Sequence, residues 1–470
     1  MKLDHDTCYR IFLARDRRFD GRVFIGVRTT GIYCRPICPA PSPRKINVSF
    51  YASAAAAQEA GFRPCLRCRP EVSPDFAAWH GSSSTVVRAL RLIEGGALDQ
   101  MTAEDFASRL GVGARQLRRL FVEHVGAPPS AFAQSRRVHL AKQLIQETDL
   151  PMIEVAYASG YGSVRRFNEA FQLMFGRSPV ALRKRPLGVT APSGVLVLHL
   201  SFAPPYDWTA MTDMLARRAI EGVESVDKNS YRRTIHVGGS KGVVDVARVD
   251  DGRLRVDLRV AKLDILPEIT ARIRALFDLA ADPLVLAKQL GGDSVLSSLM
   301  TARPGLRVPG HWDTFELVVR TIFGERLTRP PSHESISAFV QAFGEPTPGP
   351  RDGLTHFFPT PERVRGADLS GISMTSRQSI AIRAYVEAAP IGCFAPIEEV
   401  VDRLSALPGF DREMAVAIAT RLTEPTDDVS GLAADDVAKI DACRPWRAYA
   451  ALQLLGAAEP TVGGGLLHAA

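Results

Sequence analysis

Four cysteines, Cys34, Cys38, Cys65 and Cys68, follow one another as C-x3-C-x26-C-x2-C in a basic stretch punctuated by glycine and proline. Two closely spaced pairs, joined by a longer connection, can each place two sulfurs on one ion. Four soft thiolates in a tetrahedron select Zn2+, bound at about 2.3 Å per sulfur. Two kinds of chemistry are open to such a centre. A closed site braces the chain, and the spacing alone points there. A zinc-bound cysteine that stays accessible is also a nucleophile, because coordination keeps its sulfur deprotonated at neutral pH.

The elements around the quartet are short. Residues 1–80 alternate β-type runs, at 23–25 and 47–50, with turns near the cysteines. A Gly-Ser-Ser-Ser-Thr stretch at 81–85 reads as a linker. Residues 86–185 place apolar side chains at three- and four-residue steps, the period of a helix. Inside this region Phe121-x4-Gly126-x2-Pro129 recurs as Phe171-x4-Gly176-x2-Pro179, 50 residues on. Each copy closes a helix-turn-helix pattern: 103–110, a turn at Gly111, then 114–122; and 152–159, a turn at Gly160, then 163–175. The second helix of each pair is the candidate reader of a DNA major groove. Arg115, Gln116, Arg118 and Arg119 decorate the first, and Arg165, Arg166 and Asn168 the second. Arginine suits guanine edges and Asn or Gln suits adenine, although some of these arginines serve phosphates equally well.

Composition sets the frame. The chain has 470 residues, 46% hydrophobic and 23% charged, which predicts about three soluble domains. Residues 1–190 hold 28 Lys and Arg against 16 Asp and Glu, and the rest holds 30 against 35. The basic half is therefore the expected partner of nucleic acid rather than only a solvated face. Seven cysteines in so long a chain point to a reducing cytoplasm, not to a disulfide framework. The first ten residues carry charges without an apolar run, and no 18-residue apolar stretch exists. Neither a secretory leader nor a membrane span is expected.

Three segments carry a family resemblance: Arg28-Thr29-Thr30-Gly31-Ile32-Tyr33-Cys34-Arg35-Pro36-Ile37-Cys38, Asn47-Val48-Ser49-Phe50-Tyr51, and Gly61-Phe62-Arg63-Pro64-Cys65-Leu66-Arg67-Cys68. Together they resemble the zinc domain of Ada, the adaptive-response methyltransferase and activator, and the paired helix-turn-helix resembles the AraC/XylS type. The resemblance implies that Cys34 takes a methyl group from a DNA methylphosphotriester in a single turnover, with Cys38, Cys65 and Cys68 completing the zinc site. It also implies promoter binding, with RNA polymerase as a further partner. Four thiolates on Zn2+ carry a net charge of about −2 and methylation leaves about −1, which eases repulsion from phosphates. Arg35, Arg63 and Arg67 are the candidate phosphate contacts.

Residues 195–460 resemble the AlkA family of 3-methyladenine DNA glycosylases, through Pro204-Pro205-Tyr206-Asp207-Trp208, Ala302-Arg303-Pro304-Gly305-Leu306-Arg307-Val308-Pro309-Gly310, Leu407-Pro408-Gly409 and Arg444-Pro445-Trp446-Arg447. The implied fold is a small α/β domain followed by a helix-hairpin-helix domain, and the implied catalytic carboxylate is Asp428, with Asp427 the alternative. Several positions depart from the family. Asp411 stands where the hairpin has its second glycine, Glu413 and Ala417 stand at aromatic pocket positions, and Glu325-Arg326 replace a glutamine-containing wedge. Only 18 positions separate Asp428 from Trp446, fewer than the family spacing, and the last pocket tryptophan maps near Leu455. No base pocket can be named. Two readings follow: excision of 3-methyladenine-like bases, or, as the shortened spacing favours, a degenerate scaffold supporting the regulator. The expected architecture is multidomain α+β: a zinc-bound α/β domain at 1–80, an all-α double helix-turn-helix domain at 84–186, a small α/β domain at 194–283 and an all-α helix-hairpin-helix domain at 284–460.

Overall fold

The computed structural model describes residues 4–74, 84–183, 194–388, 391 and 395–458. Of the expected linker at 81–85, residues 81–83 lie outside the described residues, as do the stretch 184–193 and the glycine run at 463–465; Ser84 and Thr85 instead open the helix Ser84–Glu94. The chain is a multidomain α+β protein. No helix among the described residues is long and apolar enough to cross a membrane.

Asp4 caps the first helix, His5–Ala14, by accepting the Thr7 N–H at 2.9 Å. The helix turns Cys8, Ile11 and Phe12 inward. Beside it, the strand Phe24–Val27 pairs antiparallel with Val48–Tyr51 on one side and Ile32–Cys34 on the other. Arg63–Pro64 then pairs in parallel with Ile32–Cys34. Gly26 has no room for a side chain, since a Cβ there would lie 2.8 Å from the Tyr51 ring and 2.9 Å from that of Phe62.

The two helix-turn-helix units repeat in three dimensions. In the helix Ala114–Val125, Leu117, Phe121 and Val125 are buried; in Val164–Phe175 the buried set is Phe167, Phe171 and Phe175. Each of these lies 50 residues after its counterpart and recurs every fourth residue, one face of a helix. The turns use Gly111 at φ 75° and Gly160 at φ 92°, a region glycine enters without strain. The 19-residue helix Pro129–Glu147 joins the units.

Five antiparallel strands follow, in spatial order Leu196–Ser201, Arg253–Val260, Ser240–Asp250, Ser230–Val237 and Glu224–Val226. Leu254, Val256 and Leu258 alternate into the core, as the period of a half-buried strand requires. One apolar cluster runs from Val138, Leu144 and Phe171 through Leu198 and Val256 to Trp312, so the second helix-turn-helix unit and the sheet share a core.

Beyond residue 283 the described residues are mostly helical. Glu345–Arg351 and Leu354–Phe357 form a two-stranded ribbon where the sequence reading expected only helices. Pro346, Pro348 and Pro350 explain it, because each lacks an N–H and together they hold the backbone extended. A buried ionic cluster ties this region to the sheet. Arg233 meets Glu316 at 2.6 Å, and Arg320 reaches Glu224 at 2.5 Å, Glu316 at 2.8 Å and Glu325 at 3.2 Å.

Candidate metal centre, reader helices and carboxylate site

Strand pairing assembles the metal centre. Cys34 ends the strand Ile32–Cys34, and Cys65 follows Arg63–Pro64, whose parallel register aligns Pro64 with Tyr33. The Cys65 N–H donates to the Tyr33 carbonyl at 3.0 Å, so two segments about 30 residues apart deliver their sulfurs to one point. Turns after each strand return Cys38 and Cys68. All four Sγ atoms lie within 4.8 Å of one another. A tetrahedron with Zn–S of about 2.3 Å has edges of about 3.8 Å, so the cage suits Zn2+.

Exposure does not single out Cys34. It is 7% exposed, against 2% for Cys38 and 8% each for Cys65 and Cys68. All four cysteines are buried to a similar degree. The Arg35 N–H donates to the Cys68 sulfur at 3.4 Å. A thiolate that accepts an N–H is less nucleophilic than one that does not, because the bond spreads its charge.

Arg35 is also corrected. Its guanidinium is buried rather than free for a phosphate: Nε donates to Asp20 at 2.7 Å, Nη2 pairs with the same carboxylate, and Nη1 donates to the Cys68 carbonyl at 3.1 Å. It clamps the loop carrying Cys68 to the one following Cys34. Arg63 and Arg67 remain exposed.

The zinc region docks on the joining helix. Lys142 and Glu71 form an ion pair at 2.7 Å with both side chains fully buried, and Lys142 also lies 5.4 Å from the Phe175 ring. Tyr33, next to Cys34, shares its hydroxyl with His139 at 3.1 Å and with Gln58 at 2.9 Å. Sequence reasoning missed these contacts. A lysine and a histidine in a helical repeat give no sign that they face another domain.

Arg115, Gln116, Arg118 and Arg119 are all exposed along the first reader helix, and Arg165, Arg166 and Asn168 along the second. Arg165 pairs with Glu169 on its own helix at 2.7 Å, an exposed contact of little energetic weight.

In the C-terminal region the helices Ile397–Ser405 and Arg412–Thr423 flank the hairpin turn. Asp411 caps the second by accepting the Met414 N–H at 2.7 Å, and Arg377 pairs with it at 2.5 Å. The Asp411 carboxylate is thus partly neutralised, and its pKa is lowered, chiefly by the Met414 N–H. Glu413 is 76% exposed and lies 3.4 Å from Arg326, while Ala417 is buried. Arg326 and Glu325 are themselves buried, Arg326 with Nη1 on the Thr321 and Glu325 carbonyls. Neither stands out as a wedge.

The two candidate carboxylates differ sharply. Asp427 is locked by Arg447, at 2.8 Å and 2.6 Å. Asp428 accepts the Ser430 N–H at 2.9 Å, and its nearest cation, Arg421 Nε, stays 3.9 Å away. Burial pushes the Asp428 carboxyl above its usual range. Its loop is fastened from outside, with the Leu327 N–H on Ser430 Oγ at 3.0 Å and Thr328 Oγ1 on the Gly431 carbonyl at 3.1 Å. Trp446 is half-buried and packs on the apolar cluster that includes Ile440 and Tyr449, in agreement with a core role.

Three family descriptions match successive parts of the chain: the metal binding domain of Ada at residues 7–71, a helix-turn-helix domain at 106–185 and the AlkA N-terminal domain at 197–313. The chain is 35% identical over 429 residues to the "Probable bifunctional transcriptional activator/DNA repair enzyme AlkA" of Mycobacterium tuberculosis, spanning 89% of this chain and 86% of that one. Over 281 residues it is 30% identical to DNA-3-methyladenine glycosylase 2 of Escherichia coli, with 54% and 95% covered. Over 141 residues it is 38% identical to the bifunctional transcriptional activator/DNA repair enzyme Ada of Escherichia coli, with 30% and 38% covered. With a zinc cage of four cysteines, two reader helices and an AlkA-type module on one polypeptide, the chain belongs to the family of bifunctional transcriptional activators and DNA repair enzymes that combine Ada and AlkA parts.

Proposed function

We propose that Cys34 accepts a methyl group from a methylphosphotriester in the DNA backbone, once per chain, and that the reader helices direct the protein to a promoter. The supporting observation is the quartet itself, whose four sulfurs lie within 4.8 Å of one another with Cys34 at the end of the strand Ile32–Cys34. Zn2+ held by Cys34, Cys38, Cys65 and Cys68 supplies thiolate character at neutral pH. The Cys34 sulfur attacks the methyl carbon in line; the S–C bond forms as the C–O bond breaks, and the electron pair leaves on a phosphodiester oxygen. No proton has to move. Arg63 and Arg67 are the phosphate contacts of this reading, and Arg115, Gln116, Arg118, Arg119, Arg165, Arg166 and Asn168 the reader contacts. RNA polymerase is the partner at the promoter, and a reducing cytoplasm suits the free thiols. These roles follow the four-part division at 1–80, 84–186, 194–283 and 284–460. After incubation with methylated double-stranded DNA, intact-mass analysis should show one added methyl, mapped to Cys34 and absent from Cys34→Ala. Methyl on another residue, or none, overturns the reading.

A second reading gives the C-terminal module base-excision activity on alkylated purines, against an inert scaffold. Its support is the ordered, buried placement of Asp428 despite the shortened sequence beyond it. An alkylated purine leaves with its bonding electrons, and an ionised carboxylate stabilises the positive sugar left behind until water adds. Release of free base from alkylated DNA should occur with the full chain and fall at least about a hundredfold in Asp428→Asn. No release by the parent protein favours the scaffold.

A further inference from the structure

The Asp428 loop is not the only thing that sets this carboxylate. Arg421, two turns along the same helix from Glu413, places Nε 3.9 Å from Asp428 and donates through Nη2 to Glu325 at 2.6 Å. Its Nη1 is buried without a hydrogen-bond partner. Glu325 is 2% exposed and also accepts from Arg320 at 3.2 Å, which reaches Glu224 and Glu316 in turn. Arg218 approaches from a third helix, with Nη2 spent on the Leu327 carbonyl at 2.6 Å. His311 lies near Arg421 and Glu325. Asp427 faces the other way, onto Arg447 and Arg444.

This arrangement resolves what Glu325 does. The sequence puts it where the family has a wedge element, yet it is buried and anchors a guanidinium. Although burial opposes it, Arg421, then Arg320 and Arg218, hold the Glu325 carboxyl down to about 2. Glu325 is therefore a permanent anion that fixes Arg421 from one edge. The guanidinium cannot close on Asp428 as a tight bidentate pair, and Asp428 keeps a carboxylate oxygen that no short ion pair consumes.

We propose that Arg421, held by Glu325, is the positioning residue for Asp428: it keeps the buried carboxylate ionised at neutral pH without neutralising it by direct pairing. The proposal rests on the base-excision reading for its purpose, but not for its test. Burial favours the protonated Asp428 carboxyl, which cannot stabilise a cation; a direct salt bridge would spend the same charge on arginine. A gap of 3.9 Å lies between these extremes.

The test uses the full chain with the Asp428 carboxyl followed by isotope-edited infrared titration, Asp428→Asn giving the blank. In Arg421→Met the carboxyl should titrate at higher pH than in the parent, and Arg421→Lys should restore most of the difference. Glu325→Gln, which preserves volume, should shift the titration to lower pH, because the released guanidinium can close on Asp428. Base release, where present, should drop about tenfold at pH 7 in Arg421→Met and recover as the pH rises, because the acid limb has moved up. An Asp428 titration unmoved from the parent in both Arg421→Met and Glu325→Gln overturns the proposal. If Arg421→Met does not fold, the Glu325→Gln titration decides alone. A chain that shows the titration shift but releases no base keeps the proposal and rejects the excision reading.

Discussion

Arg35 shows how a charge changes meaning once its partner is known. Read beside a cysteine motif, it offers itself to a phosphate; folded, it spends its donors on Asp20 and on the Cys68 carbonyl. Removing one member of a buried ion pair strands the other, at a cost of about 3 kcal/mol or more. Arg35→Ala should therefore lose Zn2+ to a chelator faster than the parent and melt earlier, in a colorimetric release assay and a thermal scan. Weakened DNA binding with unchanged zinc retention would instead return Arg35 to the phosphate role. The four cysteines were legible because coordination writes itself into local spacing. Asp20 lies 15 residues from Arg35, and Glu325 lies 96 from Arg421, with no periodicity linking either pair. Ion pairs closed by tertiary folding leave no such mark.

At the scale of elements, the 50-residue repeat was the most readable part, because helical period, positive-φ glycine and a following proline are each local requirements. The three buried positions of each reader helix fall in register without adjustment. The ribbon at 345–357 was missed although its prolines are plain in the sequence, since a proline run excludes helix without announcing a strand partner. The joint between the zinc region and the helix Pro129–Glu147 was likewise unreadable. The reader helices carry their own prediction. Arg118→Ala and Arg166→Ala should each weaken promoter binding about tenfold. Titrations at several salt concentrations separate the roles: a slope reduced by about one marks a phosphate contact, and an unchanged slope with relaxed sequence preference marks a base contact. Full-strength binding by both variants would take these residues out of the interface.

Across the whole molecule, the parts expected to be strung on linkers are fastened to one another. Tyr33 and Gln58 meet His139, Arg91 donates to the Thr423 carbonyl at 2.9 Å, and the second helix-turn-helix unit shares its core with the five-stranded sheet. The fully buried pair of Lys142 and Glu71 has a consequence for how such a protein can be inherited or rebuilt. A recombination that exchanged the zinc region for one lacking the acid would strand an ammonium in an apolar interface, at a cost of about 3–5 kcal/mol. Whole domains are stable by only about 5–15 kcal/mol. Ancestral shuffling, and chimeras made today, should therefore tolerate a crossover at residues 75–83 only when the incoming zinc region carries an acid in the place of Glu71. The visible seam between methyl acceptor and DNA reader is not where this chain can be cut.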